Sequence, residues 1–247
     1  MAGVLLVTGA SRGIGAATAL AGAQAGFRVA VHYGVHGDEA EAVCAGIRGM
    51  GGTAVAVQAD MGSEAEIVHL FQAVDAALGP VTALVNNAGS VFGVRAIADT
   101  DVALVERTLA VNLAGPIYCC REAVQRMSTA RGGGGGAIVN ISSMAAVLGG
   151  LPEEVIYAAS KGGIDSLTTG LAREVATQGI RVNAIRPGVI DTAILERHGQ
   201  GFAARFAVNL PMQRAGTAAE VANAAIWLLS DAASYITGSI LNVSGGR

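Results

Sequence analysis

Short runs of Val, Ile and Leu alternate along this chain with longer amphipathic stretches. The apolar runs predict seven strands, at 3–8, 27–33, 52–58, 81–87, 136–142, 180–186 and 239–244. The stretches between them predict helices near 14–25, 38–49, 63–78, 99–111, 114–129, 155–177 and 218–230. Strands that alternate with helices are typical of right-handed βαβ crossovers. We therefore predict an α/β Rossmann fold, a doubly wound parallel seven-stranded sheet with helices on both faces.

The length of the chain favours a single domain over residues 1–247, because α/β chains of this size routinely fold as one unit. The longest insertion between a predicted strand and a clear helix is 188–217. Because it follows the carboxyl end of a strand, we expect a lid or substrate wall there. The run "RGGGGGA" at 131–137 precedes a strand and not a helix, which favours a flexible connector over a phosphate loop.

Composition and charge argue against several kinds of partner. Charged residues make up 14% of the chain and hydrophobic residues 52%, which is typical of buried parallel strands. The net charge of −3 and the lack of a basic cluster argue against nucleic acid. No apolar stretch approaches the ~18 residues of a membrane span, and the apolar N-terminus lacks the basic segment of a signal peptide. Three cysteines without a CxxC spacing fit a reducing cytoplasm, and no histidine has the spaced partners of a metal site.

The first predicted strand runs directly into "TGASRGIG" at 8–15, which opens a helix. Glycines there allow a tight turn and close backbone approach, while the helix N-terminus offers free N–H groups to a pyrophosphate. A merely structural turn is the alternative, but a preceding strand and a following helix are the context that dinucleotide binding requires. We therefore predict a dinucleotide loop formed by Gly9, Ser11, Arg12, Gly13, Ile14 and Gly15.

The G-x-x-x-G-x-G spacing and four later motifs resemble those of the short-chain dehydrogenase/reductase family. The later motifs are "NNAG" at 86–89, "VNLAG" at 111–115, "YAASK" at 157–161 and "RPGVIDT" at 186–192, in the family's order. The resemblance covers essentially the whole chain. It implies a nicotinamide cofactor and transfer of hydride to or from a carbonyl or alcohol.

Further cofactor ligands follow from the resemblance. Asp60 would read the adenine amino group, with Met61 beside it, although Asp60 could equally cap the helix that begins near Ser63. The other ligands follow the fourth and sixth predicted strands, where ligands bind in open α/β sheets. They are Asn87, Ala88, Gly89, Pro187, Gly188, Ile190 and Thr192.

The end of the second predicted strand bears on the choice between NAD and NADP. An acid at that point would bind the ribose 2′-hydroxyl and repel a 2′-phosphate, but Tyr33 and Gly34 stand there instead. Arg12 could contact a 2′-phosphate, with His32 or His36 adding to it, or Arg12 could simply be solvated. We predict NADP(H) in preference to NAD(H), with Tyr33 in the cofactor site and no metal.

The predicted helix after the fifth strand carries Tyr157 and Lys161, one turn apart on one face. A free tyrosine, with a pKa of ~10, is a poor acid or base near neutrality. A nearby ammonium and an oxidised nicotinamide would favour its anion. A Tyr–Lys pair with this spacing is, by itself, often only a surface contact. A nearby serine favours the catalytic interpretation, because a carbonyl that receives hydride needs a hydrogen-bond donor at its oxygen.

By the resemblance, this serine is Ser143, which lies one residue farther from Tyr157 than is usual in the family. The extra residue falls around "GLPEEV", and Ser142 would then face the other side of the strand end. Asn112 would hold a water that links Lys161 to solvent, or would bond to backbone at a helix kink. The implied roles are general acid or base for Tyr157, carbonyl polariser for Ser143, and ribose ligand and pKa depressant for Lys161.

The predicted substrate is a small ketone, sugar or polyol. Its apolar wall would include Val91, Ala145, Val147, Ile156, Ile194 and Leu195. One alternative is reduction of 3-oxoacyl groups on an acidic carrier protein, to which Arg131 and Arg173 could contribute a docking patch. A second alternative is a nucleotide sensor without turnover. The apolar tail "AAIWLLSDAASYITGSILNVSGG" and the family's habit indicate a homo-oligomer, most simply a tetramer.

Overall fold

One parallel sheet holds all the strands of the described chain. A computed structural model describes residues 3–192 and 201–247, and leaves out the side chains of 202–204. The strands are β1 (Val4–Val7), β2 (Arg28–Tyr33), β3 (Ala54–Gln58), β4 (Ala83–Asn86), β5 (Gly136–Ile141), β6 (Ile180–Pro187) and β7 (Ile240–Val243). Their order is β3-β2-β1-β4-β5-β6-β7, and every neighbouring pair is parallel. The predicted fold class is confirmed, and the winding reverses between β1 and β4.

Helices cover both faces of this sheet. They are α1 (Gly13–Gln24), α2 (Gly37–Gly49), α3 (Glu64–Leu78), α4 (Val102–Leu109), α5 (Gly115–Met127), α6 (Ala145–Leu148), α7 (Val155–Val175), α8 (Phe202–Ala207) and α9 (Ala218–Leu229). One core joins the sheet to α3, α5 and α7, and the other joins it to α1, α2 and α9. Val4 and Leu6 point into the first core and Leu5 and Val7 into the second. Burial on both faces explains why the strands read as unbroken apolar runs.

Most predicted elements differ from the observed ones by at most two residues at either end. The clearest difference lies between α4 and α5, which are continuous through a π-helical turn at Ala110–Ala114. A π-turn holds an extra residue, so it shifts the helical face and breaks the period that sequence analysis relies on. Neither α6 nor α8 was predicted. Residues 193–200 of the predicted lid, with Ile194 and Leu195, lie outside the described residues.

The start of α3 answers one question left open by the sequence. Ser63 caps this helix, because its Oγ accepts a hydrogen bond of 3.3 Å from the Glu66 backbone N–H. The alternative role of Asp60 as the cap is therefore wrong. At α9 the cap is reciprocal, since the Thr217 hydroxyl accepts from Glu220 N and the Glu220 carboxylate accepts from Thr217 N.

A chain of buried polar side chains joins β4, β5 and α7 beneath the carboxyl edge of the sheet. Asn86 Nδ2 donates to Asn140 Oδ1 at 2.9 Å, and Asn140 Nδ2 donates to Thr168 Oγ1 at 2.9 Å. The Thr168 hydroxyl in turn donates to the Ile164 carbonyl at 2.8 Å. Buried amides are costly unless they are hydrogen-bonded. These hydrogen bonds therefore fix how α7, and with it Tyr157, packs against the ends of the strands.

We predict that Asn140→Ala lowers the free energy of unfolding by about 2–4 kcal/mol, because it leaves a cavity and removes the partner of the Asn86 amide. Urea unfolding followed by circular dichroism measures this change. Asn223→Ala, at an exposed site on α9, is the matched control and should change stability by less than about 0.5 kcal/mol. Equal stabilities for the two variants would contradict the structural role of the buried network.

Candidate active site

A cleft opens above the carboxyl ends of β4, β5 and β6, with a cavity volume of about 150 Å³. In an open α/β sheet, ligands bind at this edge. Several residues named from separate sequence motifs line it together: Ile14, Asn87, Gly89, Ser143, Tyr157, Lys161, Pro187, Gly188, Ile190 and Thr192. The fold thus brings the predicted catalytic and cofactor motifs to one place.

The glycine loop is held in a tight turn before α1. Gly9 adopts a φ of 62°, in the left-handed region that favours glycine. A Cβ on Gly15 would overlap the Gly9 carbonyl oxygen and lie 2.6 Å from Asn87 Nδ2. Arg12 stands at the N-cap of α1 with an exposed side chain. The loop therefore leaves the first turn of α1 open to an approaching phosphate.

A clasp of hydrogen bonds, formed by Thr8 and Asn87, joins the ends of β1 and β4. Asn87 Nδ2 donates to the carbonyls of Thr8 and Gly9, both at 2.9 Å. The Thr8 hydroxyl accepts from the backbone N–H groups of Asn87 and Ala88, both at 3.0 Å. The Asn87 side chain is thus engaged in shaping the glycine loop. Sequence analysis gave Thr8 no role, although its position at the end of β1 was visible.

His32 supports the glycine loop from below, and the suggestion that it contacts a phosphate is wrong. Its Nδ1 accepts from Gly9 N at 2.9 Å, and its Nε2 lies 3.0 Å from the Ala59 carbonyl, so it serves as the donor there. Burial lowers the pKa of His32 below the usual value, which favours the neutral ring that this pairing needs. His36 is exposed, and the Tyr33 ring packs against the start of α2 at Gly37.

Asp60 is paired with an arginine that sequence analysis missed. Arg107 donates to Asp60 Oδ2 at 2.8 Å and to Oδ1 at 2.9 Å, and Gly62 N donates to Oδ1 at 2.8 Å. The hydrogen bonds from Arg107 are the main cause that lowers the pKa of Asp60. A carboxylate has about four acceptor positions, so Asp60 retains capacity for a further donor such as an amino group. Met61 beside it is buried.

Lys161 is a buried residue in the lining of the cleft. Its Nζ donates to the Ile141 carbonyl at 2.8 Å and lies 5.8 Å from the centre of the Tyr157 ring. Burial lowers the pKa of Lys161 to about 8, against the opposing effect of Asp165. That carboxylate is itself bound by Arg186, at 2.8 Å between Nη2 and Oδ2, so its field at the ammonium is partly offset.

The two adjacent serines have different surroundings. Ser142 is buried, and its hydroxyl donates to the Lys161 carbonyl at 3.2 Å. Ser143 is only partly buried, and its Oγ accepts from Ala145 N at 3.1 Å, which leaves its proton available to another acceptor. Both residues line the cleft. Ser142 therefore ties β5 to α7, while the hydroxyl of Ser143 is the one that can serve a ligand.

The loop before Tyr157 contains residues in the left-handed region. Gly149 and Gly150 have φ values of 83° and 88°, and Glu153 has a φ of 67°. A residue with a Cβ is strained there by roughly 1–2 kcal/mol. The Glu153 carbonyl accepts from Arg95 N at 3.1 Å, and the next residue, Glu154, is buried in the wall of the cleft. Sequence analysis placed in this loop the one residue by which the Ser143–Tyr157 spacing exceeds the usual spacing of the family.

Asn112 lies in the π-helical turn and is fully buried. Its Oδ1 accepts from Ser90 N at 3.0 Å, and its Nδ2 donates to the Ser90 carbonyl at 2.8 Å and to Ser160 Oγ at 3.3 Å. The side chain thus bonds to backbone at a helix irregularity, which agrees with the second of the two roles considered for Asn112. Its part in a water relay stays a prediction.

The apolar wall of the cleft agrees only partly with the predicted one. Val91 and Ala145 line the cleft, Ile156 lines a small adjoining cavity, and Val147 is exposed. Among the lining residues that sequence analysis missed are Met144, Leu148, Leu151, Glu154, Phe206 and Arg247. Periodicity gave no signal for them, because they lie in loops, in short helices or in the tail.

The described ranges, 3–192 and 201–247, contain neither a metal-ion cluster nor a membrane-spanning helix. They hold no cluster of three or more His, Cys, Asp or Glu side chains arranged for a metal ion. No helix within them has both the length and the apolar character needed to cross a membrane. The cysteines Cys44, Cys119 and Cys120 are free and buried.

Comparison with known proteins identifies the class. A family model described as enoyl-(acyl carrier protein) reductase matches residues 9–247. The uncharacterized oxidoreductase YgfF of Escherichia coli K12 is 51% identical over 245 residues, which cover 99% of both chains. The 3-oxoacyl-[acyl-carrier-protein] reductase FabG of Staphylococcus aureus Mu50 is 35% identical, covering 98% of this chain and 96% of its own.

A solved structure supports the same assignment. The short-chain dehydrogenase of Burkholderia cenocepacia J2315, in complex with NADP, is 34% identical and superposes with a TM-score of 0.90, over 98% of this chain and 96% of its own. The chain therefore belongs to the short-chain dehydrogenase/reductase family and is an NAD(P)-dependent oxidoreductase.

We predict that burial of Lys161 makes stability rise with pH between about 8 and 10.5. In that window the unfolded chain keeps the lysine proton that the folded chain has lost, so raising the pH favours the folded state. The stability of wild type relative to Lys161→Met should therefore increase across the window, by up to roughly 3 kcal/mol. Urea unfolding of both proteins at several pH values measures it, and parallel pH profiles would exclude the effect.

Proposed function

We propose that residues 1–247 form a single catalytic domain that transfers hydride between NADP(H) and a carbonyl or secondary alcohol of a small molecule. The observation that carries this proposal is the buried Lys161 ammonium close to Tyr157, with Ser143 in the same cleft. The glycine loop opens into that cleft through Ile14. A proton donor and an oxyanion donor thus face one cavity, next to a cradle suited to a dinucleotide.

The nicotinamide, when bound, supplies or accepts the hydride at the substrate carbon. During reduction, the Ser143 hydroxyl donates a hydrogen bond to the carbonyl oxygen as negative charge develops there. Tyr157 gives its phenolic proton to that oxygen, which completes the alcohol. The Lys161 ammonium stabilises the phenolate that remains, since an opposite charge nearby favours the ionised form. Oxidation of an alcohol uses the same groups in reverse.

The preference for NADP(H) rests on Arg12 and on the end of β2. Arg12 is exposed at the start of α1, and no carboxylate stands at Tyr33 or Gly34 to repel a 2′-phosphate. The similar dehydrogenase from Burkholderia cenocepacia binds NADP. Asp60, Met61, Ala88, Gly89 and Thr192 complete the proposed cofactor site.

We predict that Arg12→Ser weakens NADPH binding about tenfold or more and leaves NADH binding nearly unchanged, because only the former loses a charge-assisted contact. Fluorescence titration of the reduced cofactors gives both dissociation constants. Arg131→Ser, at an exposed arginine in the short 3₁₀ turn that follows α5, is the control. An equal loss for the two cofactors would remove Arg12 from the 2′-phosphate site.

The catalytic roles are tested by paired variants on a panel of ketones, sugars and polyols. Tyr157→Phe should lower kcat by about 10²–10⁴ and Ser143→Ala kcat by about 10²–10³, with NADPH binding retained. Ser142→Ala should have a smaller effect, and Tyr118→Phe, on α5 and outside the lining of the cleft, none. Turnover that survives Tyr157→Phe would remove the proton donor from the mechanism. Absence of turnover on the whole panel would favour a nucleotide sensor.

A second candidate activity is reduction of 3-oxoacyl groups on a carrier protein. The 35% identity to the Staphylococcus aureus reductase favours it, and Arg131 and Arg173 are exposed. The run of glycines after Arg131 adds no further positive charge for an acidic partner, so we rank a free ketone, sugar or polyol first. Faster turnover of a carrier-bound thioester than of free ketones would reverse this ranking.

We also propose a homotetramer in the cytoplasm. The exposed apolar side chains of Trp227, Tyr235 and Leu241 lie at the end of α9, in the turn that follows and on β7, which is an edge strand. Buried free thiols fit a reducing compartment. A monomeric mass by light scattering would exclude the assembly.

A further inference from the structure

One cation of the cleft has no role in the reaction described above. Arg247 lines the same cavity as Ser143 and Tyr157, and reaches it from the segment that follows β7. The other charged lining residues of this cavity are Glu154 and Lys161. Because Lys161 donates to the Ile141 carbonyl, its ammonium is already committed to the catalytic centre. Arg247 is the second positive charge that a ligand in this cavity meets.

Contacts with the Phe206 ring and with the segment that follows β7 fix the position of Arg247. The carbon of its guanidinium lies 4.9 Å from the centre of the Phe206 ring, a cation–π distance. Its backbone N–H donates to the Ser244 carbonyl at 3.4 Å, and its carbonyl accepts from the Ser244 hydroxyl at 3.2 Å. Met212 N donates to the Gly245 carbonyl at 3.2 Å and anchors the same segment. A stacked guanidinium keeps its donors free at the edge of the plane.

Arg247 differs from other arginines of the chain in its electrostatic partners. Arg107, Arg126, Arg186 and Arg214 each pair with a carboxylate. Within 3–192 and 201–247, no carboxylate side chain forms such a pair with Arg247. Its side chain is half-buried, and burial lowers the pKa of its guanidinium below the usual value. Because this guanidinium is partly desolvated and forms no carboxylate pair within those ranges, a bound anion would stabilise the arrangement.

The surroundings of Arg247 favour a substrate anion over a cofactor phosphate. A second cavity adjoins the segment 244–247, and Arg247, Val189 and Ile190 line both cavities. No residue of the glycine loop lines this second cavity. Arg247 therefore lies where the two cavities meet, on the side of the segment that follows β7. The proposed phosphate cradle is instead at the start of α1.

We propose that Arg247 binds an oxyanion carried by the substrate, which makes the substrate class a carbonyl compound with a carboxylate or phosphate group. This inference rests on the proposed reductase function. The planar fork of a guanidinium matches both oxyanions, with two parallel hydrogen bonds. The neighbouring apolar wall, with Leu148 and Leu151, would hold the carbon chain between the anion and the reacting carbonyl.

Matched substrate pairs test this proposal. The pairs are 3-oxobutanoate with its methyl ester, and dihydroxyacetone phosphate with dihydroxyacetone, each reduced by NADPH. Wild type should prefer the anionic member of at least one pair by tenfold or more in kcat/KM. Arg247→Met should abolish that preference by raising KM for the anion, while kcat/KM for the neutral member stays the same. Arg247→Lys should keep part of the preference, and Arg214→Met, beside the second cavity only, should keep all of it.

Three results would overturn the proposal. The first is equal or better turnover of the neutral members by wild type, which leaves the reductase function intact. The second is an anion preference that survives in Arg247→Met. The third is a rise in the NADPH dissociation constant of Arg247→Met as large as the rise in KM for the anion, which would assign the guanidinium to the cofactor.

A binding measurement separates failure of this inference from failure of the proposed function. Calorimetric titration of the Tyr157→Phe protein with 3-oxobutanoate or dihydroxyacetone phosphate, in the presence of NADP, reports anion binding without turnover. Binding that weakens about tenfold on adding Arg247→Met supports the anion site, even where no carbonyl is reduced and the reductase function fails. Affinities that do not depend on Arg247 overturn the site.

Discussion

The burial of one ammonium group, that of Lys161, constrains the whole carboxyl edge of the sheet. Its donation to the Ile141 carbonyl requires the end of β5 to lie against α7. A Cβ at Gly89 would lie 3.2 Å from Asn112 Oδ1 and 3.4 Å from the ammonium, so a side chain there would crowd the amide that lies beside it. Asp165 offers a negative field, but Arg186 holds its carboxylate. The charge therefore remains poorly compensated until an anion forms or binds beside it.

The predictable part of the molecule is the part that local sequence determines. β1 and β5 were visible because burial on both faces makes a parallel strand uniformly apolar. The glycine loop was visible because a strand, a turn and a helix follow one another within a few residues. Tyr157 and Lys161 were visible because one helical turn separates them. In each case the relevant contact lies within one or two elements, so spacing along the chain carries the information.

The unpredicted part depends on contacts between distant segments. Arg107 finds Asp60 across 47 residues, and nothing in the sequence near either residue indicates the pairing. His32 was a candidate for a 2′-phosphate contact, but its buried ring bonds instead to Gly9 N and to the Ala59 carbonyl. The π-helical turn at Ala110–Ala114 breaks the helical period, and Arg247 enters the cleft from a tail with no period at all. Tertiary packing, and not local preference, determines the Arg107–Asp60 pair, the His32 contacts, the π-helical turn and the position of Arg247.

The clasp between Thr8 and Asn87 also has a consequence for the order of folding. It joins positions that are 79 residues apart, and β1 pairs with β4 across a segment that contains both β2 and β3. Contacts of such long range form late, because the entropy of closing the intervening loop must be overcome first. A nascent chain that has made β1 to β3 but not β4 would carry the glycine sequence without its cradle. Nucleotide affinity in this protein is thus a property of the finished sheet, and would appear in one step as folding ends.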